Sequence, residues 1–336
     1  MAGLAQYSQF FDNPLLTETI KEIPVPANFI GSDYLPSEES YEMEWHETVI
    51  TRQADMANIV DNGAELPLTD RDPMSTVSGK IVDIGQSYIV DKKELGALLD
   101  KGNPQRRLIA EKQLLGKTAT VKTNIDARIE WMRWQALGEG ALTYSKDGIM
   151  LGVDFGVPAG NKKIAAVKWD DANPTILLEL EAWNQLYVDT NGVPADDFVA
   201  GIAVIRTIMN DPGVRAAILG SATQLLTLEE LNAFLVGRQM APVRAFDTVV
   251  TYRDVNNQGA RVSQRLLSAK KGVLLKRGRE IGIQVLGPTI ENQMNPGLYA
   301  RSFTQERPMR EIVEVVASSF PKINDPKLIM PCTVML

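Results

Sequence analysis

Two pairs of adjacent carboxylates, Asp170 with Asp171 and Asp196 with Asp197, and one group of bases, Lys276, Arg277 and Arg279, are the residues whose types and spacing suit chemistry. Paired acids can share general acid and base work when distant segments bring them to opposite sides of a bond. Clustered bases suit a phosphate. Each pattern also has a plainer account, because Asp is favoured at turns and helix starts and bases between two strands make a solvated turn. Cys332 is the only cysteine and His46 the only histidine, which excludes disulfide frameworks, zinc sites built on Cys and His, and imidazole triads. Cys332 lies in an apolar run and reads as a small core residue; His46, between Glu44 and Glu47, reads as the surface of a strand. Asp154, Phe155 and Gly156 spell the metal-binding triplet of kinases, but no glycine-rich phosphate loop precedes them. There is no P-loop, dinucleotide fingerprint, HExxH or GxSxG. No cofactor or metal is implied, and no catalytic residue is assigned.

The element around which the chain can be arranged runs from Asn103 to Gly140. Asn103 and Pro104 signal a helix start, Gly138 and Gly140 a helix end. Leu108, Leu115, Ala119, Ile125, Ile129, Met132 and Ala136 trace one apolar stripe, with charged residues on the other faces. A helix of this span reaches roughly 50 Å. Gly116 with Thr118, Thr120, Val121 and Thr123 weakens its middle and predicts a bend or break there.

Before this helix, residues 1–43 are rich in proline and acids with scattered aromatics, and read as an extended arm that docks on something. Residues 44–90 alternate in short runs around DNGAELPLTDRDP, the pattern of a long hairpin with arms of about 20 residues. A lone hairpin is marginal in water, so it needs a neighbour. After the helix, residues 142–153 form a tight hairpin around Lys146, Asp147 and Gly148. A helix is predicted from Pro174 and another over residues 194–209, and Thr227 with Glu230 makes a capping box. Strands are predicted at 246–252, 273–275, 281–286, 298–303, 312–317 and 328–336; the run at 310–323 could instead begin as a helix, and the last run as a paired strand leaves no frayed end.

The 336 residues, 44% hydrophobic and 23% charged, suit a folded protein with a sizeable core. No apolar run is long enough to span a bilayer, and no basic leader suggests a secretory signal. The net charge of −7 conceals a division: residues 1–91 hold 16 acids against 4 bases, a balance of −12, and residues 92–336 hold 26 against 31, a balance of +5. The two parts attract: the first is either a solvated acidic surface or an acidic extended segment lying across the basic body of another copy.

Three stretches, MANIVDNGAELPLTDRDPMSTVSGKIVDIGQSYIVDKKEL, IDARIEWMRWQALGEGALTYSKDGIMLGVDFGVP and the last 56 residues from IGIQVLGPTIENQMNPG onward, in this order and spacing, resemble the lambda-like major capsid proteins of tailed bacteriophages, the major capsid protein E family. The resemblance covers residues 40–336 and implies an α+β fold of the Hong Kong 97 type. Its parts would be an N-terminal arm (1–43), an extended loop (44–91) lying on a neighbouring subunit, a peripheral domain with the spine helix (92–185), an axial domain (186–290) and C-terminal strands completing the peripheral domain (291–336). It implies a non-enzymatic shell protein that assembles into hexamers and pentamers as the icosahedral head of a virion, built in the cytoplasm of a bacterial host. Scaffold, portal and decoration proteins would be its other partners; DNA would be enclosed without sequence-specific binding, and no membrane is involved. Arg52, Arg71 and Lys80, the only bases of the hairpin, and Asp70 beside them are the residues expected at the contact between subunits. Two alternatives stand beside this: the same fold as a cellular nanocompartment, and a hydrolase using carboxylates.

Overall fold

The computed structural model describes residue 4 and residues 11–50, 74–100, 102–146, 149–254, 260–307 and 309–335. Helix α1 (Asn13–Lys21) carries Pro14 in its first turn, where a missing N–H costs nothing. Its Leu16 and Ile20 are buried, as is Phe11 before it. Thr17 fixes it to the C-terminal part of the chain: its hydroxyl donates to the Ala300 carbonyl at 2.9 Å and accepts from the Ala300 N–H at 3.1 Å. A 3-10 turn (Ile30–Asp33) leads into strand β1 (Ser37–Glu39). The arm expected to reach another copy is thus seated, over residues 11–39, on its own body.

Strands β2 (Glu44–Ile50) and β3 (Met74–Lys80) pair antiparallel from Glu44 with Lys80 to Ile50 with Met74. This is the predicted hairpin; its return arm ends earlier than expected, at Lys80, because after Ile81 the chain becomes β4 (Val82–Ile89) and pairs elsewhere. Helix α2 (Lys92–Leu98), unforeseen in the sequence, opens on a capping box of Asp91 and Glu94. Helix α3 (Pro104–Glu139) follows, with the Asn103 side chain accepting from the Arg106 N–H at 3.2 Å and Gly140 at φ 68° closing it in the left-handed conformation that suits glycine. Of the bend or break predicted in its middle, the break is absent: the helix is continuous. Thr118, Thr120 and Thr123 turn their hydroxyls back onto the carbonyls of Leu114, Gly116 and Ala119, so the hydroxyls are satisfied within the helix.

The rest of the chain runs through β5 (Ala141–Lys146), β6 (Ile149–Asp154), β7 (Lys163–Ile164), α4 (Ile176–Asn191), β8 (Asp197–Ala200), α5 (Ile202–Asn210), α6 (Pro212–Leu219), α7 (Leu228–Gly237), β9 (Val243–Ala245), β10 (Val249–Asp254), β11 (Ala260–Arg265), β12 (Lys271–Leu275), β13 (Gly282–Gly287), β14 (Tyr299–Glu306), β15 (Met309–Ile323) and β16 (Ile329–Thr333). The capping box of Thr227 and Glu230 opens α7 as the sequence predicts. The helix predicted over 194–209 does not begin at Pro194: Asp197–Ala200 is a strand buried at every position, and only the residues after Gly201 are helical. Residues 310–323 are strand throughout.

Among the described residues two five-stranded sheets hold most of these strands, while β2–β3, β5–β6 and β10–β11 are two-stranded ladders. In the first, β15 carries β4 along one edge (Ile312 with Ile89 to Ser319 with Val82) and, along the other, β14 at its start and β13 at its end, with β1 parallel outside β13. In the second the order is β7, β16, β12, β8, β9. The C-terminal strands divide between the two sheets. β16 enters the second sheet between β12 and β7, while β13, expected in the axial part, pairs with β15. A strand buried on both faces, as β16 is over Ile329–Cys332, needs a partner on each edge, and β12 and β7 supply them.

Helix α3 lies against the first sheet and buries more than one stripe. Its first half turns Ala110, Leu114, Thr118, Val121 and Ile125 inward, one register away from the predicted Leu108, Leu115 and Ala119. Its second half is buried on all sides from Ile129 to Trp134. Trp134 stacks on Phe246 with ring centroids 4.1 Å apart. Glu130, wholly buried, accepts from the Gly31 N–H at 2.6 Å and the Trp134 indole at 2.8 Å through one oxygen, and from Arg133 at 3.2 Å through the other. Arg133 in turn donates to Ser37 at 2.7 Å, and Lys122 donates to the Ile23 carbonyl at 3.0 Å. These buried charges clamp residues 23–37 to the helix. Gly31 is required for the approach, since a Cβ there would stand 2.8 Å from both carboxylate oxygens. Tyr88 ties β4 to the helix by donating to the Leu114 carbonyl at 2.9 Å.

Replacing Glu130 with alanine strands the buried Arg133 and should lower the unfolding free energy by about 3–5 kcal/mol in urea titration, whereas Leu108→Ala, on the exposed side, should cost less than about 1 kcal/mol. A second expectation concerns alkaline pH. Burial, with the Glu94 charge adding to it and the Thr118 hydroxyl opposing it, pushes the Tyr88 phenol up to about 12. The fold therefore prefers the protonated phenol, and this contribution is complete below about pH 10 and lost as pH rises through about 12. It amounts to on the order of 2–3 kcal/mol, and Tyr88→Phe should flatten that part of a stability profile measured by circular dichroism.

Candidate functional site

The structure brings together two of the groups that the sequence singled out separately. In the β8–β12 ladder Asp197 stands opposite Leu275, so Lys276 and Arg277 leave β12 beside Asp196 and Asp197. Arg277 meets Asp197 bidentately, Nε to Oδ2 at 2.6 Å and Nη2 to Oδ1 at 2.8 Å. Lys276 donates to Asp196 Oδ1 at 3.0 Å, and the Arg277 N–H to Asp196 Oδ2 at 2.8 Å. Asp197 is almost wholly buried, and its Oδ2 also accepts from the Tyr34 hydroxyl at 2.7 Å. Arg244 donates to that hydroxyl at 3.2 Å and pairs with Asp33 at 2.7 Å. Burial first, and then the hydrogen bond to Asp197, hold the Tyr34 phenol well above its ordinary range. Its own hydrogen bonds to Asp197 raise the already basic Arg277 further. Arg279 reaches Glu38 at 3.4 Å in a largely exposed pair that contributes little.

With both oxygens of Asp197 and both of Asp196 occupied, this cluster fastens the arm segment 33–38 to the second sheet. Each of these carboxylate oxygens accepts at least one hydrogen bond, from Lys276, Arg277 or Tyr34. Tyr34, Asp33 and Arg244 were not foreseen in the sequence: they lie 163 residues and more from their partners, or on a strand edge, and no local pattern marks them. Asp170 and Asp171 stand exposed in a turn, where the Asp171 N–H donates to the Lys168 carbonyl. Asp154 of the kinase-like triplet accepts from the Gly156 N–H at 2.9 Å, closing a turn, while Phe155 is core. Cys332 is fully buried between β12 and β7, and burial raises its thiol pKa far above the usual range. His46 lies on β2.

Of the residues expected at a contact between subunits, Arg52, Asp70 and Arg71 lie outside the described residues, and Lys80 ends β3 opposite Glu44. The β2–β3 ladder is a two-stranded sheet of its own, without a third strand among the described residues. A concavity of about 470 Å³ lined by Ala27, Asn28, Phe246 and Asp247 holds a carboxylate, which Arg265 pairs.

Residues 15–334 match the family model described as phage major capsid protein E. The chain belongs to that family. A structure described as a prophage capsid protein from E. coli CFT073 has the same fold, with a TM-score of 0.64 over 96% of this chain and 98% of its own, at 15% identity. A phage-related protein from Bordetella bronchiseptica RB50 follows with a TM-score of 0.58 over 95% and 96% at 10% identity, and the capsid of a native GTA particle with 0.51 over 94% and 93% at 9%. Identities this low carry the fold alone, which is the Hong Kong 97 type. Comparison with curated proteins finds no match. The major capsid protein is a structural subunit that associates with its own kind into the shell of a virion head. Of the two container readings the family is that of the phage head; of the two acid pairs, Asp196 and Asp197 are bound in ion pairs and Asp170 and Asp171 stand exposed in a turn. Among the described residues no helix is long and apolar enough to cross a membrane.

Asp197→Ala removes the acceptor of buried Tyr34 and should cost about 2–3 kcal/mol of stability in thermal or urea unfolding. Arg279→Ala, in the exposed pair, should shift stability by less than about 0.5 kcal/mol in the same measurement.

Proposed function

We propose that this major capsid protein forms hexamers and pentamers in which residues 44–91 act as an extended loop over a neighbouring copy. In this reading residues 92–185 with most of 291–336 form a peripheral domain and residues 186–290 an axial domain around the symmetry centres, with β13 and β16 exchanged between the two. The observation that carries it is the β2–β3 ladder, a two-stranded sheet that finds no third strand in its own chain among the described residues. A pair of strands is marginal in water unless something lies against it. Copies related head to tail would supply that cover repeatedly, and such heterologous contacts close into rings. Many modest contacts per subunit then hold the shell together while letting misplaced subunits leave. The acidic total charge of −7 limits sticking to packaged DNA, which the shell encloses without reading its sequence. Scaffold, portal and decoration proteins are its further partners, assembly takes place in the bacterial cytoplasm, and the chain performs no catalysis of its own.

Purified protein should sediment as hexamers, pentamers or closed shells, and electron micrographs should show the particles; a stable monomer at micromolar concentration would count decisively against the reading. Within it, Arg52, Asp70, Arg71 and Lys80 contact the neighbour. Arg52→Glu, Arg71→Glu or Lys80→Glu should cut the yield of shells at least about ten-fold while moving the melting temperature of the unassembled subunit by less than about 2 °C.

A further inference from the structure

Strand β14 forms one edge of the first sheet, bonded to β15 and, among the described residues, to no other strand. Ala300 turns both its main-chain groups away from β15, so by the alternation of an antiparallel ladder Ser302, Thr304 and Glu306 do the same. Helix α1 closes the first half of this edge with side chains. The Thr17 hydroxyl takes both groups of Ala300, and Asn13 Oδ1 accepts the Ser302 N–H at 3.0 Å. The Ser302 hydroxyl in turn donates to the Phe11 carbonyl and accepts the Leu4 N–H, each at 3.1 Å. Leu4, Phe11, Leu16 and Ile20 are buried, so apolar contact holds the segment there as well. The outward groups of Thr304 and Glu306 meet no main-chain partner among the described residues.

An open strand edge is a template for another strand, and a helix laid along it is not. Without α1 the whole of β14, from Tyr299 to Glu306, would be free to pair. The strand is also complementary to itself. Set antiparallel about Phe303, it brings the outward groups of Ser302 against Thr304 of a second copy and those of Ala300 against Glu306. In the same register Phe303 meets Phe303, Arg301 meets Gln305, and no like charges face each other. We propose that the β14 edge is a latent interface for the same edge of a second copy, and that α1 is the plug that keeps it closed. Such a pair is isologous: it closes after two copies and withdraws both from head-to-tail assembly. The plug keeps the free subunit available to the shell, and it does so whichever surface residues 44–91 lie on.

The test uses the full chain as free subunit, below the concentration at which shells form. Asn13→Ala combined with Thr17→Val removes the hydrogen bonds of the plug and keeps its apolar contacts. Amide exchange at Ala300 and Ser302 should rise at least about ten-fold, and sedimentation should show a two-copy species in at least about ten-fold greater share than in wild type. With Phe303→Cys added, mild oxidation by dissolved oxygen should join the two copies through position 303, while Cys332, fully buried, stays out of the reaction. Phe303→Lys in the same background sets like charges opposite each other and should restore the monomer. Unchanged exchange at the two amides, a monomer in spite of faster exchange, dimers that do not join through position 303, or dimers that Phe303→Lys leaves intact would each overturn the proposal. If circular dichroism shows the double variant unfolded, the milder Asn13→Ala decides: with Phe303→Cys it should form the disulfide at least about three-fold faster than with Asn13 in place, and equal rates would overturn the proposal.

Discussion

The interaction on which the rest depends is the ionised carboxylate of Glu130, held out of water in the middle of a helix. A charge in that position is tolerable only if each oxygen has donors, and here the donors come from three sources: the main chain of the arm at Gly31, the neighbouring Arg133, and the indole of Trp134. Because one donor belongs to the arm, the arm cannot leave without exposing the cost. Because another belongs to Trp134, which stacks on Phe246, the same carboxylate fixes the approach of the segment after β9. One buried group thereby sets the spacing of arm, spine helix and second sheet.

A second constraint acts at the far side of the arm. Tyr34, one residue beyond the 3-10 turn, reaches Asp197 in the first position of β8, and Arg277, just past the end of β12, completes the pair. The arm is therefore fastened at one place to the spine helix and at another to the second sheet, by polar groups whose unpaired forms would be costly on both sides. Hydrophobic contact alone would let such a segment slide; bidentate and buried hydrogen bonds fix its position.

Much of this was legible beforehand, and the reason lies in range. The ends of α3 were readable from Asn103, Pro104 and Gly140, and the start of α7 from Thr227 and Glu230, because capping is decided within four residues. The resemblance of the ordered stretches to capsid proteins was legible too, and the family match agrees with it. What local pattern could not carry was partnership. Asp196 and Asp197 look like a helix start, since acids before an apolar run usually are; only the register with β12 shows them to be the counter-ions of Lys276 and Arg277. Of the predicted stripe Ile125, Ile129, Met132 and Ala136 are buried, but the first half of α3 was misread because Leu108 is more hydrophobic than Thr118, while Thr118 satisfies its hydroxyl within the helix and can go inside. The seating of the arm was invisible for the same reason: its partners, such as Ala300, lie hundreds of positions away.

The direct passage from β3 into β4 has a mechanical consequence. Lys80 and Val82 are separated by a single residue, so a load on the hairpin passes directly into β4. There it meets β15 over the whole register from Val82 to Ile89, with the strands side by side. Tension applied along such a pair is shear, which stretches all of its hydrogen bonds together, whereas a load across the strands would peel them one at a time. A shell wall under pressure from within would thus be drawn against the stronger direction of its sheet.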